Sequence, residues 1–373
     1  MNQYSWQLLL INVFIYFISI FIAKPQITYT NPQKNNIKKG INSFFILLII
    51  NAVFAFWSED TYHSLENFIV SRLYLNYKIL RYEAVYNWIA TISGNNYILW
   101  RTYIWVPACL FIYYTAKNLN LHNKNFLVAL LLFGSFLSYT RGMLGHTMLI
   151  FSIVLLTNKN SNTSIKIIGI ILFCSSYFFH KSMFVNIIFA FIALIPFEKK
   201  SIVVSLILFP FLTTIATYLI DGIASGHIDL SYGNAVGGVG DKTVSYASGE
   251  KVETNVLGKI KHLVEFTPQY LTLFYLYKKI IIQKIFDKES IYKYLFRLTY
   301  VSFYIASLFY FVETSNWIYE RFKYMGFFPL IFVLGATWSK ETSSTKGIKA
   351  IILLQAFAIF WMLSYKFYKW YEL

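Results

Sequence analysis

Apolar blocks of roughly membrane-spanning length recur along the whole chain, and they constrain its fold more than any other feature. The chain is 57% hydrophobic and only 13% charged, whereas soluble domains carry about 25% charged residues. A spanning helix needs about 20 mostly apolar residues, and twelve segments approach that length: 6–23, 41–57, 98–115, 126–140, 142–156, 165–179, 183–197, 201–220, 259–276, 294–312, 322–338 and 347–365. We therefore expect an all-α polytopic membrane protein with about twelve transmembrane helices, forming a single integral membrane domain over residues 1–373.

Basic residues give the expected orientation of these helices. Eighteen of the 33 Lys and Arg residues lie in six alternate loops: 24–40, 116–125, 157–166, 197–201, 277–293 and 339–349. Because loops rich in Lys and Arg stay in the cytoplasm, these six loops are predicted to be cytoplasmic and both termini periplasmic. Topology also accounts for the net charge of +16 without a nucleic-acid partner. The expected location is a bacterial inner membrane, with the lipid bilayer as surroundings.

Two of the predicted periplasmic segments are long. Segment 58–97 has helical apolar spacing at Leu65, Phe68 and Ile69, which is typical of an amphipathic helix on a membrane surface. Segment 221–258 is rich in Gly and Ser without a clear period, which indicates a loop. We interpret both as periplasmic loops of the one membrane domain.

Five ionisable residues lie beside predicted helices on this outer face. Ionisable groups near membrane depth are costly and are candidates for function by default. Asp60 is equally consistent with a helix cap, Glu83 with a solvated charge, and His180 with a packed core histidine. Arg141 and Arg321 stand at helix ends, where a snorkelling side chain is common, but the chain around Arg141 offers almost no loop into which such a side chain could escape.

Familiar catalytic motifs are missing from the sequence. It contains no GxxxxGK[ST], HExxH, CxxC or GxSxG pattern, and no Asp-x-Asp stands in a loop to hold a metal-bound nucleotide. Cys109 and Cys174 lie inside apolar blocks and indicate small core residues. These observations argue against an enzyme that uses a nucleotide-sugar with a bound divalent metal.

The sequence resembles the EpsG-like branch of the Wzy polymerases, which elongate exopolysaccharide, capsule and O antigen. In that family an outer-loop Asp, a Glu-Pro-x-Tyr-like stretch, an Arg-Gln pair, a Phe-His-x-Ser pattern and a late Arg with an aromatic follow one another. The matching positions here are Asp60, Glu83-Ala84-Val85-Tyr86, Arg141-Gly142, Phe179-His180-Lys181-Ser182, and Arg321 with Tyr324. This chain lacks the Pro and the Gln, and the resemblance depends on the shared order over residues 41–338.

The resemblance implies a GT-C-like multi-helix glycosyltransferase that needs no metal or other cofactor. Its donor would be a growing glycan on undecaprenyl pyrophosphate and its acceptor a lipid-linked repeat unit, with a polysaccharide chain-length regulator as a further candidate partner. The acceptor hydroxyl needs a base, for which Glu83, His180 and Asp60 are candidates. The departing pyrophosphate needs cations, and Arg has a planar fork suited to phosphate oxygens, as Arg141 and Arg321 would supply.

By the same resemblance, Tyr86, Tyr324 and Ser182 are candidates for other substrate contacts. The nearest alternative is another enzyme of lipid-linked glycans, either an O-antigen ligase or a membrane acyltransferase. A polysaccharide flippase or transporter is an alternative of a different class. It predicts charges deep in several helices and an internal repeat, and neither is clear in this sequence. The sugars, their linkage and the type of surface glycan stay open.

Overall fold

The computed structural model describes residues 84–94, 96–121, 126, 129–130, 140–158, 161–180, 183–228, 256–286, 290–310, 316–340, 350–355 and 357–358. Within these ranges the secondary structure is helical, with no β-strand, as the sequence predicts. The main helices are α1 (Ala84–Ile92), α2 (Tyr97–Asn118), α3 (Thr140–Thr157), α4 (Thr163–Phe179), α5 (Met183–Ile192), α6 (Lys199–Ala224), α7 (Val256–Tyr277), α8 (Ser290–Tyr310) and α9 (Asn316–Lys340).

Local sequence explains where several of these helices begin. Asn96 precedes α2, and its side-chain oxygen accepts a hydrogen bond from the Leu99 backbone N–H at 3.1 Å. Asn162 does the same for α4, accepting from the Ile165 N–H at 2.9 Å. Each asparagine satisfies an N–H group that has no partner within its helix, which is the usual reason for Asn at this position.

The long helix α6 is the described segment that best fits a membrane span. Over Lys199–Ile223 it is 25 residues long and apolar enough to cross a bilayer, and among the described helices it alone meets both criteria. Large apolar side chains project from it without cover, including Leu206, Ile207 and Phe211. Such a surface suits lipid rather than water. The predicted number of about twelve spans stays a prediction.

The structure corrects the predicted span 183–197. Here α5 ends at Ile192, and Ala193 and Leu194 form turns back onto it. A helix of 10 residues extends about 15 Å, or half the hydrocarbon core of a bilayer. The apolar run continues in the sequence to residue 197, but the helix ends before it does.

Described helices extend into both long outer segments, of which the sequence analysis predicted an amphipathic helix within 58–97 and a loop over 221–258. Within 58–97 the chain forms α1, while the predicted amphipathic stretch around Leu65 lies outside the described residues. Within 221–258 the first four residues continue α6, and Val256 already begins α7. The end of α6 is set by Gly226, because its φ of +76° leaves the helical range and suits glycine. The Asp221-Gly222 pair, which looked like the start of a loop, is helical.

The chain divides into two compact units, Met1–Val185 with Leu334–Ser339 and Asn186–Val333 with Lys340–Leu373. In the first unit, α3 packs against α2 and α4, and α1 contacts both α2 and α4. Gly169 of α4 permits close approach to α3, since a Cβ there would lie 3.0 Å from the Leu156 side chain. The described residues of this unit therefore form a helical bundle around buried residues of α2 and α3.

In the second unit, tyrosine hydroxyls of α8 bind neighbouring segments. Tyr294 donates to the Ala190 carbonyl at 2.8 Å, and Tyr304 donates to the Ser205 carbonyl at 2.5 Å. Tyr300 shares a further hydrogen bond of 2.5 Å with the Ser205 hydroxyl. In apolar surroundings a polar group is costly unless it has such a partner, so these bonds fix the register of α8 against α6.

Candidate functional site

His180 occupies the joint between α4 and α5. Its backbone is extended, with φ of −163° and ψ of 130°, and its carbonyl accepts the Met183 N–H at 2.9 Å. Its side chain is 5% exposed, so the imidazole lies within the packed protein. The connection between the two helices is short, since α4 ends at Phe179 and α5 begins at Met183. Lys181 and Ser182 of the same motif lie outside the described residues.

Tyr86 lies in the first turn of α1 and contacts the residue that precedes His180. Its ring is completely buried and meets the Phe179 ring edge-on, with the centroids 6.3 Å apart. The same ring meets Trp100 of α2 edge-on at 6.4 Å. The backbone carbonyl of Tyr86 accepts a hydrogen bond from the Trp100 indole N–H at 3.2 Å. Two motifs that are more than 90 residues apart in sequence thus share one aromatic cluster.

The start of α3 packs against the joint that carries His180. Gly145 makes this close approach possible, because a Cβ at that position would lie 3.0 Å from the Met183 side chain and 3.2 Å from the Ser176 carbonyl oxygen. Arg141 is the second residue of α3, in the turn that precedes Gly145. The helix therefore begins where the sequence analysis expected, and the Arg141 side chain lies outside the described part.

These contacts place Tyr86 of the Glu-x-x-Tyr motif against Phe179 of the Phe-His-x-Ser motif. They also place the turn of α3 that follows the Arg-Gly pair against the same joint, within the first unit. The region is lined by the buried residues Tyr86, Trp100 and His180, and the first turns of α3 adjoin it. Asp60 and Glu83 lie outside the described residues, although Glu83 directly precedes α1 in the chain. The catalytic roles assigned to these side chains stay predictions.

Arg321 and Tyr324 belong to α9 in the second unit. The expectation that Arg321 opens this helix is wrong, because α9 begins at Asn316 and Arg321 is its sixth residue. The unpaired N–H groups of a helix belong to its first four residues, so the backbone of Arg321 lies beyond them. The Arg321 side chain is outside the described part, and Tyr324 is half-buried with its ring 6.1 Å from that of Phe327.

Two cations that the sequence analysis did not select are buried in the described helices. Arg101 of α2 is 0% exposed, and Lys323 of α9 is 1% exposed. The Lys323 ammonium lies 6.0 Å from the ring centroid of Tyr324 and 5.9 Å from that of Phe327, within range of a cation–π attraction. A signal existed in the sequence, since each is a charge inside or beside an apolar block.

Metal-ligating side chains do not cluster in the described ranges. No group of three or more His, Cys, Asp or Glu residues in them is placed to hold a metal ion. What the described site offers is a buried imidazole and an aromatic cluster. Such groups can exchange a proton and pack against a sugar face.

The comparisons with known proteins agree with this picture. A family match over most of the chain places it in a class of membrane-associated proteins of polysaccharide biosynthesis. It belongs to the EpsG family, which it matches over residues 39–373. The family resemblance stated from the sequence is therefore confirmed. No curated protein and no solved structure matches the chain.

Proposed function

We propose that the chain is a polymerase that joins oligosaccharide repeat units carried on undecaprenyl pyrophosphate into a surface polysaccharide. The observation that carries this proposal is the convergence of Tyr86, the start of α3 and His180 in one unit of a chain that belongs to the EpsG family. The proposed enzyme is a Wzy-type glycosyltransferase of GT-C-like architecture, acting at the periplasmic face of the inner membrane without a metal or a nucleotide-sugar.

The proposed reaction forms one glycosidic bond and breaks one bond between a sugar and the pyrophosphate of its lipid carrier. The acceptor hydroxyl on one lipid-linked repeat attacks the anomeric carbon of the donor glycan, and the bond from that carbon to the pyrophosphate breaks. A base takes the hydroxyl proton, and undecaprenyl pyrophosphate departs with the electron pair of the broken bond. No oxidant, reductant or further co-reactant is required.

The residues divide between these two tasks. Glu83, His180 and Asp60 are the proposed candidates for the base, and burial of the His180 ring supports a protected site for proton transfer. Arg141 and Arg321 are proposed for the pyrophosphate. Of the two, Arg141 has the stronger support, because it stands in the first turn of α3, where the free N–H groups of a helix also attract anions.

Further substrate contacts are proposed at the remaining motif positions. The family resemblance indicates three candidates for these contacts, Tyr86, Tyr324 and Ser182. Because the Tyr86 ring is completely buried, we propose that it influences substrate binding through the packing of α1. A polysaccharide chain-length regulator is a proposed partner, because such a protein would have to act on the enzyme that adds the repeat units.

Deletion of the gene tests the function directly. Gel analysis of the surface glycan should then show products with a single repeat, and a plasmid copy should restore the ladder of longer chains. Loss of the glycan with lipid-linked repeats trapped on the inner face would instead indicate a flippase. Full-length polymer that stays on its lipid carrier would indicate a ligase.

Cysteine labelling in intact cells with a permeabilised outer membrane tests the proposed orientation. Thr91 and His227 are exposed in the proposed periplasmic segments, and Gln283 is exposed in the proposed cytoplasmic loop. In a background with Cys174→Ser, which removes the exposed native thiol, Thr91→Cys and His227→Cys should react with an impermeant reagent. Gln283→Cys should react only after lysis of the inner membrane, and the reverse pattern would overturn the orientation.

A further inference from the structure

Arg101 is a charged residue completely buried near the start of an apolar helix. It is the fifth residue of α2 and is 0% exposed. An intramembrane or buried charge is costly to keep, and such residues are usually retained for function. Since a fully buried guanidinium is not open to a substrate, its position points to an indirect effect on the site.

A short series of contacts leads from Arg101 to the candidate site. One guanidinium nitrogen, Nη1, donates to the Tyr97 hydroxyl at 3.3 Å, and Cζ lies 5.8 Å from the centroid of that ring. The Tyr97 ring stacks on the Trp100 indole with the centroids 5.6 Å apart. The Trp100 N–H then binds the carbonyl of Tyr86. The three residues of α2 are spaced i, i+3 and i+4, so they share one helix face.

We propose that Arg101 is a positioning residue, which acts through Tyr97 and Trp100 to fix the first turn of α1 against α2. That turn holds Tyr86, whose ring packs against Phe179 beside His180. The proposal rests on the proposed function, because it gives this turn a role in polymerisation. Its physical basis is that the hydrogen bond donated by the Arg101 side chain limits the freedom of the Tyr97 ring. That ring in turn holds the indole N–H in line with the Tyr86 carbonyl.

Hydrogen exchange of the full-length protein in detergent provides a test that does not depend on activity. In Trp100→Phe, Tyr97→Phe and Arg101→Met, backbone amides of residues 88–92 should exchange about 3- to 10-fold faster, as expected when a helix loses one buried hydrogen bond. Trp105→Phe is the matched control, because Trp105 lies in the same helix and is also buried. Its amides at 88–92 should exchange at the wild-type rate.

The second test measures kcat and KM for lipid-linked repeats extracted from the deletion strain. Arg101→Met and Tyr97→Phe should lower kcat by about 10- to 100-fold, since small misplacements at a site cost that much, while KM changes less than about threefold. Arg101→Lys should recover most of kcat, because an ammonium still donates to the Tyr97 hydroxyl. A phosphate ligand would behave differently, since Lys lacks the fork.

The outcomes separate this proposal from the proposed function. Unchanged exchange at 88–92 in both Arg101→Met and Tyr97→Phe would overturn the positioning role, whatever the protein catalyses. A raised KM in Arg101→Lys equal to that in Arg101→Met would also overturn it, in favour of direct contact with substrate. A wild-type protein that fails to extend the extracted repeats would refute the polymerase alone, and the exchange arm would still decide the role of Arg101.

Discussion

Two tryptophans of α2 offer a matched test of how the candidate site is held together. Trp100 and Trp105 are both at most 1% exposed, so replacing either with Phe removes similar buried ring area. They differ in their indole N–H groups. That of Trp100 donates to the Tyr86 carbonyl at 3.2 Å, whereas that of Trp105 has no hydrogen-bond partner among the described residues.

The difference in free energy of unfolding between the two variants reports on their indole N–H groups. Loss of the Trp100 bond should cost about 0.6 kcal/mol, the average measured for such contacts within a membrane protein, and at most about 1.7 kcal/mol. Trp105→Phe removes a buried donor without a described partner and should recover about 1 kcal/mol of its desolvation cost. Because the loss of ring volume is common to both, Trp100→Phe should be less stable than Trp105→Phe by about 1.5 to 3 kcal/mol.

Titration of the purified proteins from mild detergent into sodium dodecyl sulfate measures this difference, with far-ultraviolet circular dichroism and tryptophan fluorescence as signals. Both variants retain eight of the nine tryptophans, so their fluorescence baselines are comparable. Equal free energies of unfolding, or a larger loss in Trp105→Phe, would show that the indole bond to Tyr86 does not hold α1. A difference in the expected direction would support the contacts from α2 to the His180 joint.

Three further predictions concern the site. Glu83→Gln and His180→Ala, at wild-type protein level, should abolish chain elongation, because each removes a candidate base; wild-type ladders on a glycan gel in both would exclude them from the chemistry. Arg141→Lys and Arg321→Lys should impair turnover of lipid-linked donor almost as much as replacement by Ala, because Lys keeps the charge without the fork; wild-type rates would leave both as membrane anchors. Gly145→Val should destabilise the first unit by about 1 to 3 kcal/mol through overpacking against Met183 and the Ser176 carbonyl, and an unchanged unfolding midpoint would contradict the close approach.

The sequence predicted the helices well where long apolar runs dominate. The cores of α2, α3 and α4 lie where the apolar blocks 98–115, 142–156 and 165–179 indicated. Errors occurred at ends, because helix termination depends on backbone conformation and packing. At Asp221 polar residues continue α6 by a further turn, and at Arg321 the cluster Glu320-Arg321 lies within α9. A hydropathy pattern locates the apolar part of a helix but does not detect the polar residues by which the helix continues.

The candidate site was partly predictable for a different reason. The order of short motifs identified Tyr86, Arg141 and His180, and the structure joins their segments. Nothing in the spacing of these motifs indicated that Trp100 holds Tyr86, since the contact is an indole bond to a backbone carbonyl. Arg101 was detectable as a charge within an apolar block. Its contact with Tyr97 follows the i, i+4 spacing of one helix, whereas the bond from Trp100 to Tyr86 required the turn that brings α1 onto α2.

The break between α4 and α5 is the strongest local argument for a functional site at His180. The residues from Tyr177 to Val185 include neither Gly nor Pro, so the local sequence contains no residue that by itself ends a helix. The chain nonetheless leaves the helix at His180, closes a turn through Met183 and keeps the imidazole buried. Backbone that leaves a helix inside the packed protein must find other partners for its polar groups. Tertiary contacts must therefore favour the break, and the first turns of α3 and the Tyr86 ring beside Phe179 provide them. Departures of this kind from local preference are expected at functional positions, which supports the proposal that His180 takes part in the chemistry.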